Sequence, residues 1–145
     1  MTRSTESLYS RLGGEVVLRD FVDYLYDFME VTPEVANVRK MHQKDLSHTR
    51  DRLFMFLSGM LGGPPLYAEA FGHPQLRRKH LHFEIGNEER DQWLSCAQHA
   101  VDQLDISGYL SEELMHDLRV MANHLRNKDV INDSSQQCDN LVSVS

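Results

Sequence analysis

The stretch RLFMFLSGMLGGPPLY, residues 52–67, decides the fold class of this chain. Its apolar residues continue a helical repeat that begins near Asp45, so they lie along one face of a helix. Glycine and proline pairs at 62–65 then end the helix, because proline cannot continue it and glycine favours a helix end. The sequence therefore predicts an amphipathic helix with a sharp stop. Its apolar stripe consists of Leu46, Leu53, Phe56, Leu57 and Met60.

The segments on either side of this helix also carry apolar residues at helical spacing, and none shows a convincing strand pattern. The predicted fold class is therefore all-α. The predicted helices span 7–12, 15–30, a short segment from Thr32, a long one from Asn87 and a last one from Ser111, with those three named residues as N-caps.

Composition and charge describe an acidic globular domain. Of the 145 residues, 41% are hydrophobic, and 15 Lys and Arg face 22 Asp and Glu, which gives a net charge of −7. Such a charge does not favour nucleic acid or an anionic membrane as a partner, and no apolar run is long enough to span a bilayer. We predict one domain over residues 1–126 and a polar, disordered tail over 127–145, where helical periodicity is lost.

Cysteine usage indicates a reducing compartment. Cys96 and Cys138 follow neither a zinc-binding nor a CxxC spacing, and two cysteines are too few for a disulfide framework. We therefore predict two reduced thiols and a cytoplasmic protein.

The segment RRKHLHFEIG, residues 77–86, contains two histidines two positions apart. On a helix this spacing turns the side chains by roughly 200°, which argues against a zinc site shared by His80 and His82. A single axial ligand to haem iron makes a different demand: one imidazole, an apolar wall, and cations for the propionates. The segment offers all three, although a solvated basic loop is the commoner explanation of such residues. The cations are Arg77, Arg78 and Lys79, and the apolar residues are Phe83 and Ile85.

Four motifs in register resemble group II of the truncated haemoglobins, over about Leu8 to Leu125. The resemblance implies a two-over-two helical sandwich around haem b, in which segments 15–30 and 45–61 pack against the last two helices. It also implies that the two glycine pairs permit tight helix ends. The motifs are LYSRLGG (8–14), RLFMFLSGMLGGPPLY (52–67), GHPQLRRKHLHF (72–83) and ERDQWLSC (89–96).

The resemblance assigns the haem ligands and the hydrogen-bond donors. His80 matches the proximal ligand, whereas His82 has no ligand role. Tyr26 and Trp93 match distal donors, and His42 matches a variable position that could be a third donor or a sixth iron ligand. Without the family, Tyr26 and Trp93 would be ordinary core aromatics and His42 a surface loop residue.

The remaining cofactor contacts follow from the same resemblance. Thr49 and Leu53 match the distal helix, while Arg52 and Tyr67 match positions that face the haem propionates. A solvent-facing ion pair would explain Arg52 almost as well. The other expected haem contacts are Phe56, Arg77, Lys79 and Phe83.

The ligand set predicts a haem protein that binds O2, CO or NO at the open iron position. Two or three donors stabilise the partial negative charge of O2 and predict slow release, which favours redox detoxification of NO or peroxide over simple transport. The chain contains no GxGxxG motif, so electrons would come from a separate reductase. We expect a monomer or homodimer. The alternatives are a hexacoordinate haem protein for electron transfer or gas sensing, and a haem-free helical interaction module.

Overall fold

A computed structural model describes residues 6–75, 80 and 84–127, and it confirms the all-α prediction for them. Helices α2 and α4 form one layer of the sandwich and α6 and α7 the other, with the most extensive contact between α2 and α6. The helices are Leu8–Leu12 (α1), Glu15–Val31 (α2), Ala36–Lys40 (α3, after a 3-10 turn at Pro33–Val35), Ser47–Met60 (α4), Leu66–Phe71 (α5), Asn87–Gln103 (α6) and Gly108–Leu125 (α7).

The core lies where α2 crosses α6. On α2, Leu18, Phe21, Val22 and Leu25 are all buried. The facing side of α6 is built from small residues, which allow the two helices to approach closely. Burial of each large apolar side chain stabilises the fold by about 1.5–3 kcal/mol, so this crossing anchors the whole site. The small residues are Cys96, Ala97, Ala100 and Val101.

The glycine pair after α4 permits α1 to dock against the end of that helix. The Tyr9 amide donates to the Leu61 carbonyl at 2.9 Å. A Cβ on Gly63 would lie 2.5 Å from the Tyr9 ring, and Gly62 has φ +94°, a conformation that other residues rarely adopt. The prediction that these glycines avoid crowding at a tight helix end is therefore confirmed.

The predicted N-caps are wrong at α6 and α7. Helix α6 is capped by Gly86, whose amide donates to Glu89 Oε1 at 2.9 Å, and Asn87 is already helical. Helix α7 begins one turn before Ser111, because the Ser107 hydroxyl accepts from the Leu110 amide. Thr32 does occupy an N-cap position, before a 3-10 turn that begins with Pro33, but its hydroxyl makes no capping bond. Among the described residues, no helix is long and apolar enough to cross a membrane.

Candidate haem site

Helix α2 places the Tyr26 side chain inside the fold, where the residue is only 3% exposed. Its hydroxyl has no hydrogen-bond partner among the described residues, although buried polar groups are nearly always paired. Burial raises the pKa of Tyr26 above its ordinary value, against a smaller opposing effect of Arg50. The phenol therefore stays protonated and can donate one hydrogen bond to a ligand.

His42 follows α3 and lies edge-on to Tyr26, with the ring centroids 5.8 Å apart and the planes at 74°. Its Nδ1 is 2.8 Å from the Val38 carbonyl, so Nδ1 carries the proton and donates. Burial lowers the pKa of His42, the hydrogen bond to the Val38 carbonyl opposes this in part, and the nearby positive charge of Arg39 lowers the pKa further. The neutral ring then presents Nε2 as an unprotonated acceptor or metal ligand rather than as a donor.

Trp93 approaches the same region from α6. It is half-buried and lies three residues before Cys96, so the two side chains share a helix face. Cys96 lies close enough to Tyr26 to influence the pKa of its phenol, which places this face of α6 beside α2. Within the described ranges, the Trp93 indole N–H has no hydrogen-bond partner. The site thus contains two unpaired donors on two packed helices.

Helix α4 contributes an apolar wall. Thr49, Leu53 and Phe56 follow helical spacing and are all half-buried, whereas Phe54 and Leu57 are buried in the core. The predicted single stripe therefore divides into a core face and a partly open face. The partly open face carries the positions that the sequence assigned to the distal wall.

His80 lies outside the described helices, between α5 and α6, and is half-buried. Asn127, which follows the last helix, holds His80 through a hydrogen bond. It is 4% exposed, and its Nδ2 donates to the His80 carbonyl at 3.4 Å. Asn127 Oδ1 also accepts from the Ile85 amide at 3.0 Å, and the Asn127 amide donates to the Ile85 carbonyl at 2.8 Å. The packed structure continues through Asn127, one residue past the predicted domain boundary. Five named residues of the predicted proximal segment lie outside the described residues: Arg77, Arg78, Lys79, His82 and Phe83.

Arg52 and Tyr67 meet at Phe71. The Arg52 guanidinium lies 5.2 Å from the centroid of the Phe71 ring, and the Tyr67 and Phe71 centroids are 4.9 Å apart. In the part of the chain that the structure describes, no carboxylate pairs with Arg52. The cation is therefore available for an anionic group, and the ion pair considered as an alternative is not formed there.

Two residues that sequence patterns did not single out also shape the distal side. Gln92 Oε1 accepts from the Val38 amide at 3.0 Å, and so joins α6 to α3. Arg50 lies 5.8 Å from the Tyr26 ring centroid and pairs with Asp23 and Asp27 at 3.0 and 2.8 Å. Both contacts join residues far apart in the sequence, so local periodicity carries no signal for them.

Comparison with known proteins identifies the family. A family model described as bacterial-like globin matches residues 7–127. The group 2 truncated haemoglobin YjbI of Bacillus subtilis (strain 168) is 37% identical over 135 residues, which are 93% of this chain and 99% of that protein. This chain belongs to the group 2 truncated haemoglobins.

Two solved structures agree with this globin in both fold and extent. The group II 2-on-2 haemoglobin of Agrobacterium tumefaciens has a TM-score of 0.81 and 38% identity, covering 88% of this chain and 98% of its own. The truncated oxygen-avid haemoglobin of Bacillus subtilis has a TM-score of 0.76 and 38% identity, covering 84% of this chain and 100% of its own. The predicted two-over-two sandwich is confirmed.

Family membership makes the protein a haem-based binder of diatomic gases, and the alternative of a haem-free interaction module is wrong. The residues present fit a haem. They provide a half-buried imidazole and a partly open apolar wall, together with an arginine without a carboxylate partner and two donors without a hydrogen-bond partner among the described residues.

Proposed function

We propose that this globin retains O2 and uses it to convert NO to nitrate, with peroxide detoxification at the same haem as the alternative, and with His80 as the axial ligand of haem b. The observation that carries the proposal is the pair of donors on α2 and α6, Tyr26 and Trp93, which have no partner among the described residues. Haem with one axial imidazole supplies an open position for a diatomic ligand. A hydroxyl and an indole N–H aimed at that position favour a ligand that carries negative charge.

Retention follows from the strength of these bonds. A hydrogen bond to a charged partner in a buried site contributes about 1.5–3 kcal/mol, which slows ligand release by tenfold or more. The similarity to a haemoglobin of Bacillus subtilis described as oxygen-avid supports this reading. His42 does not add a third bond in its neutral form, because its protonated nitrogen already donates to Val38.

Retained O2 suits chemistry better than delivery. Conversion of NO and O2 to nitrate consumes one electron, and a separate reductase would supply it. Tyr26 and Trp93 hold the O2 in place while NO enters. A cytoplasmic location, where reducing equivalents are available, remains part of the proposal.

The test is to mix the O2-loaded protein with NO in a stopped-flow instrument and to measure nitrate. We expect nearly stoichiometric nitrate from wild type and less from Tyr26→Phe, because the variant releases O2 before NO arrives. Tyr24→Phe, on the exposed side of α2, is the control and should match wild type. If wild type forms an NO complex without nitrate, the detoxification role is wrong.

A hexacoordinate resting state is the second candidate, and the His42 geometry favours it. Because Nδ1 donates to Val38, Nε2 keeps a free lone pair and is the ring nitrogen available to bind a metal. We expect a six-coordinate ferric spectrum in wild type that His42→Ala abolishes. An unchanged spectrum in that variant rules out His42 as the sixth ligand.

A further inference from the structure

Helix α3 is too short to hold its own position. It spans only five residues, Ala36–Lys40, and a helix of this length is unstable by itself. The amide of Val38 lies in its first turn, where helical N–H groups have no acceptor within the helix. An external acceptor is therefore needed to satisfy this amide and to fix the orientation of the turn.

Gln92 supplies that acceptor from α6. Its Oε1 accepts from the Val38 amide at 3.0 Å, and its Nε2 lies 3.4 Å from Glu88 Oε2, one turn earlier on the same helix. The second contact orients the side-chain amide so that its oxygen faces α3. Gln92 also directly precedes Trp93, so the residue that holds α3 is on the helix that carries a distal donor.

Val38 joins this contact to His42. The Val38 amide is held by Gln92, and the Val38 carbonyl accepts the His42 Nδ1–H at 2.8 Å. If the turn rotates, the carbonyl leaves the imidazole, and the proton is no longer confined to Nδ1. The nitrogen that His42 presents to the site therefore depends on where Val38 is held.

We propose that Gln92 is a positioning residue for His42: by anchoring Val38 to α6, it fixes the imidazole tautomer that leaves Nε2 unprotonated towards the ligand. The proposal deepens the proposed function and rests on it for its effect on ligands. The same contact joins the helix that carries Trp93 to the turn that precedes His42.

The test compares three substitutions at Gln92 in the CO complex of the ferrous protein. Gln92→Leu keeps the size but removes the acceptor, Gln92→Asn shortens the side chain out of reach, and Gln92→Glu keeps an acceptor oxygen. The control is Gln98→Leu, an exposed position of α6 whose side chain bonds to Asp102 at 2.9 Å. The readouts are hydrogen exchange of the Val38 amide and the 15N chemical shifts of the His42 ring nitrogens.

We expect Val38 exchange to accelerate about tenfold in Gln92→Leu and Gln92→Asn, in line with the loss of one hydrogen bond. The His42 nitrogens should change from one protonated Nδ1 to a mixture of tautomers in those two variants. Gln98→Leu should retain the wild-type values, whereas Gln92→Glu, which keeps an acceptor but loses the donor to Glu88, should fall between wild type and Gln92→Leu. Because Gln92→Asn is a mild polar change, it keeps the test decisive if the leucine variant does not fold.

Two results would overturn the proposal. One is unchanged Val38 exchange in Gln92→Asn, and the other is faster exchange with unchanged His42 nitrogens. Failure to form any CO complex would instead contradict the proposed function. In that case, hydrogen exchange of the Val38 amide, measured without CO, would still decide whether Gln92 holds α3 in place.

Discussion

The two sides of the candidate site are built in different ways. Tyr26 and Trp93 lie on the two long helices that make the most extensive contact in the core, and their positions follow from apolar packing. His80 stands outside the described helices, and Asn127 ties its segment to the end of α7 through hydrogen bonds. Among the described residues, apolar packing of two long helices places the distal donors, whereas hydrogen bonds from Asn127 reach His80 and Ile85 on the proximal side. Distal changes should alter ligand kinetics, and proximal changes should alter haem retention.

The largest effect is expected from His80→Gly. Removal of the imidazole leaves the iron without its axial ligand, so the Soret band of the purified protein should be lost or strongly shifted. Free imidazole added to the variant should restore the spectrum, since it replaces the missing ligand without changing the fold. His73→Gly is the control and should behave as wild type, because His73 is exposed and precedes residues 76–79, which lie outside the described ranges. A wild-type spectrum in His80→Gly would remove this residue from the site.

A smaller effect is expected from Asn127→Leu. The substitution leaves the buried Ile85 amide without its acceptor at 3.0 Å and removes the donor to the His80 carbonyl. Loss of a buried partner costs about 1–3 kcal/mol, so haem should transfer to an apoglobin acceptor about tenfold faster. Asn123→Leu, an exposed asparagine on α7, serves as the control. Equal transfer rates for Asn127→Leu and wild type would show that the segment is held by other means.

Removal of residues 128–145 tests where the globin unit ends on the proximal side. We propose that the globin unit ends at Asn127, so the truncated protein should keep its ferric, ferrous and CO spectra. Truncation before Asn127 should reproduce the faster haem loss of Asn127→Leu. Haem loss on removal of residues 128–145 alone would place part of the globin unit beyond Asn127.

The smallest effect is expected from Arg52→Gln. The guanidinium is exposed above Phe71, and exposed ion pairs contribute at most about 1 kcal/mol. Haem transfer should therefore accelerate by less than about tenfold, and the difference should fade at high salt because the charges are screened. Arg119→Gln, an exposed arginine on α7, is the control. A difference that persists in high salt would contradict a propionate contact at this position.

The sequence predicted the long helices because apolar spacing leaves a local pattern, which located α2, α4, α6 and α7. The assignment of Tyr26, His80 and Trp93 to the haem rests on the family resemblance and stays a prediction. The N-caps of α6 and α7 were wrong because the capping groups, Ser107 and the Gly86–Glu89 pair, lie a few residues before or after the expected ones.

The polar contacts that hold the site were not predictable in the same way. Gln92 and Asn127 bond to backbone groups of distant segments, and a single glutamine or asparagine has no periodicity that points to such a partner. Asn127 was assigned to the tail because its polar neighbours end the apolar repeat. The hydrogen bond that sets the His42 tautomer likewise depends on the folded turn, since it joins a side chain to the Val38 carbonyl.

The central claim is that donors from α2 and α6 hold O2, and the dissociation rate of O2 tests it most directly. The rate should be measured by stopped flow for wild type, Tyr26→Phe, Trp93→Phe and the double variant, with exposed Tyr24→Phe as the control. We expect each single distal substitution to accelerate release by about tenfold or more, with the double variant fastest. If Tyr26→Phe and Trp93→Phe release O2 at the wild-type rate, the unpaired donors do not retain the ligand, and the account is contradicted.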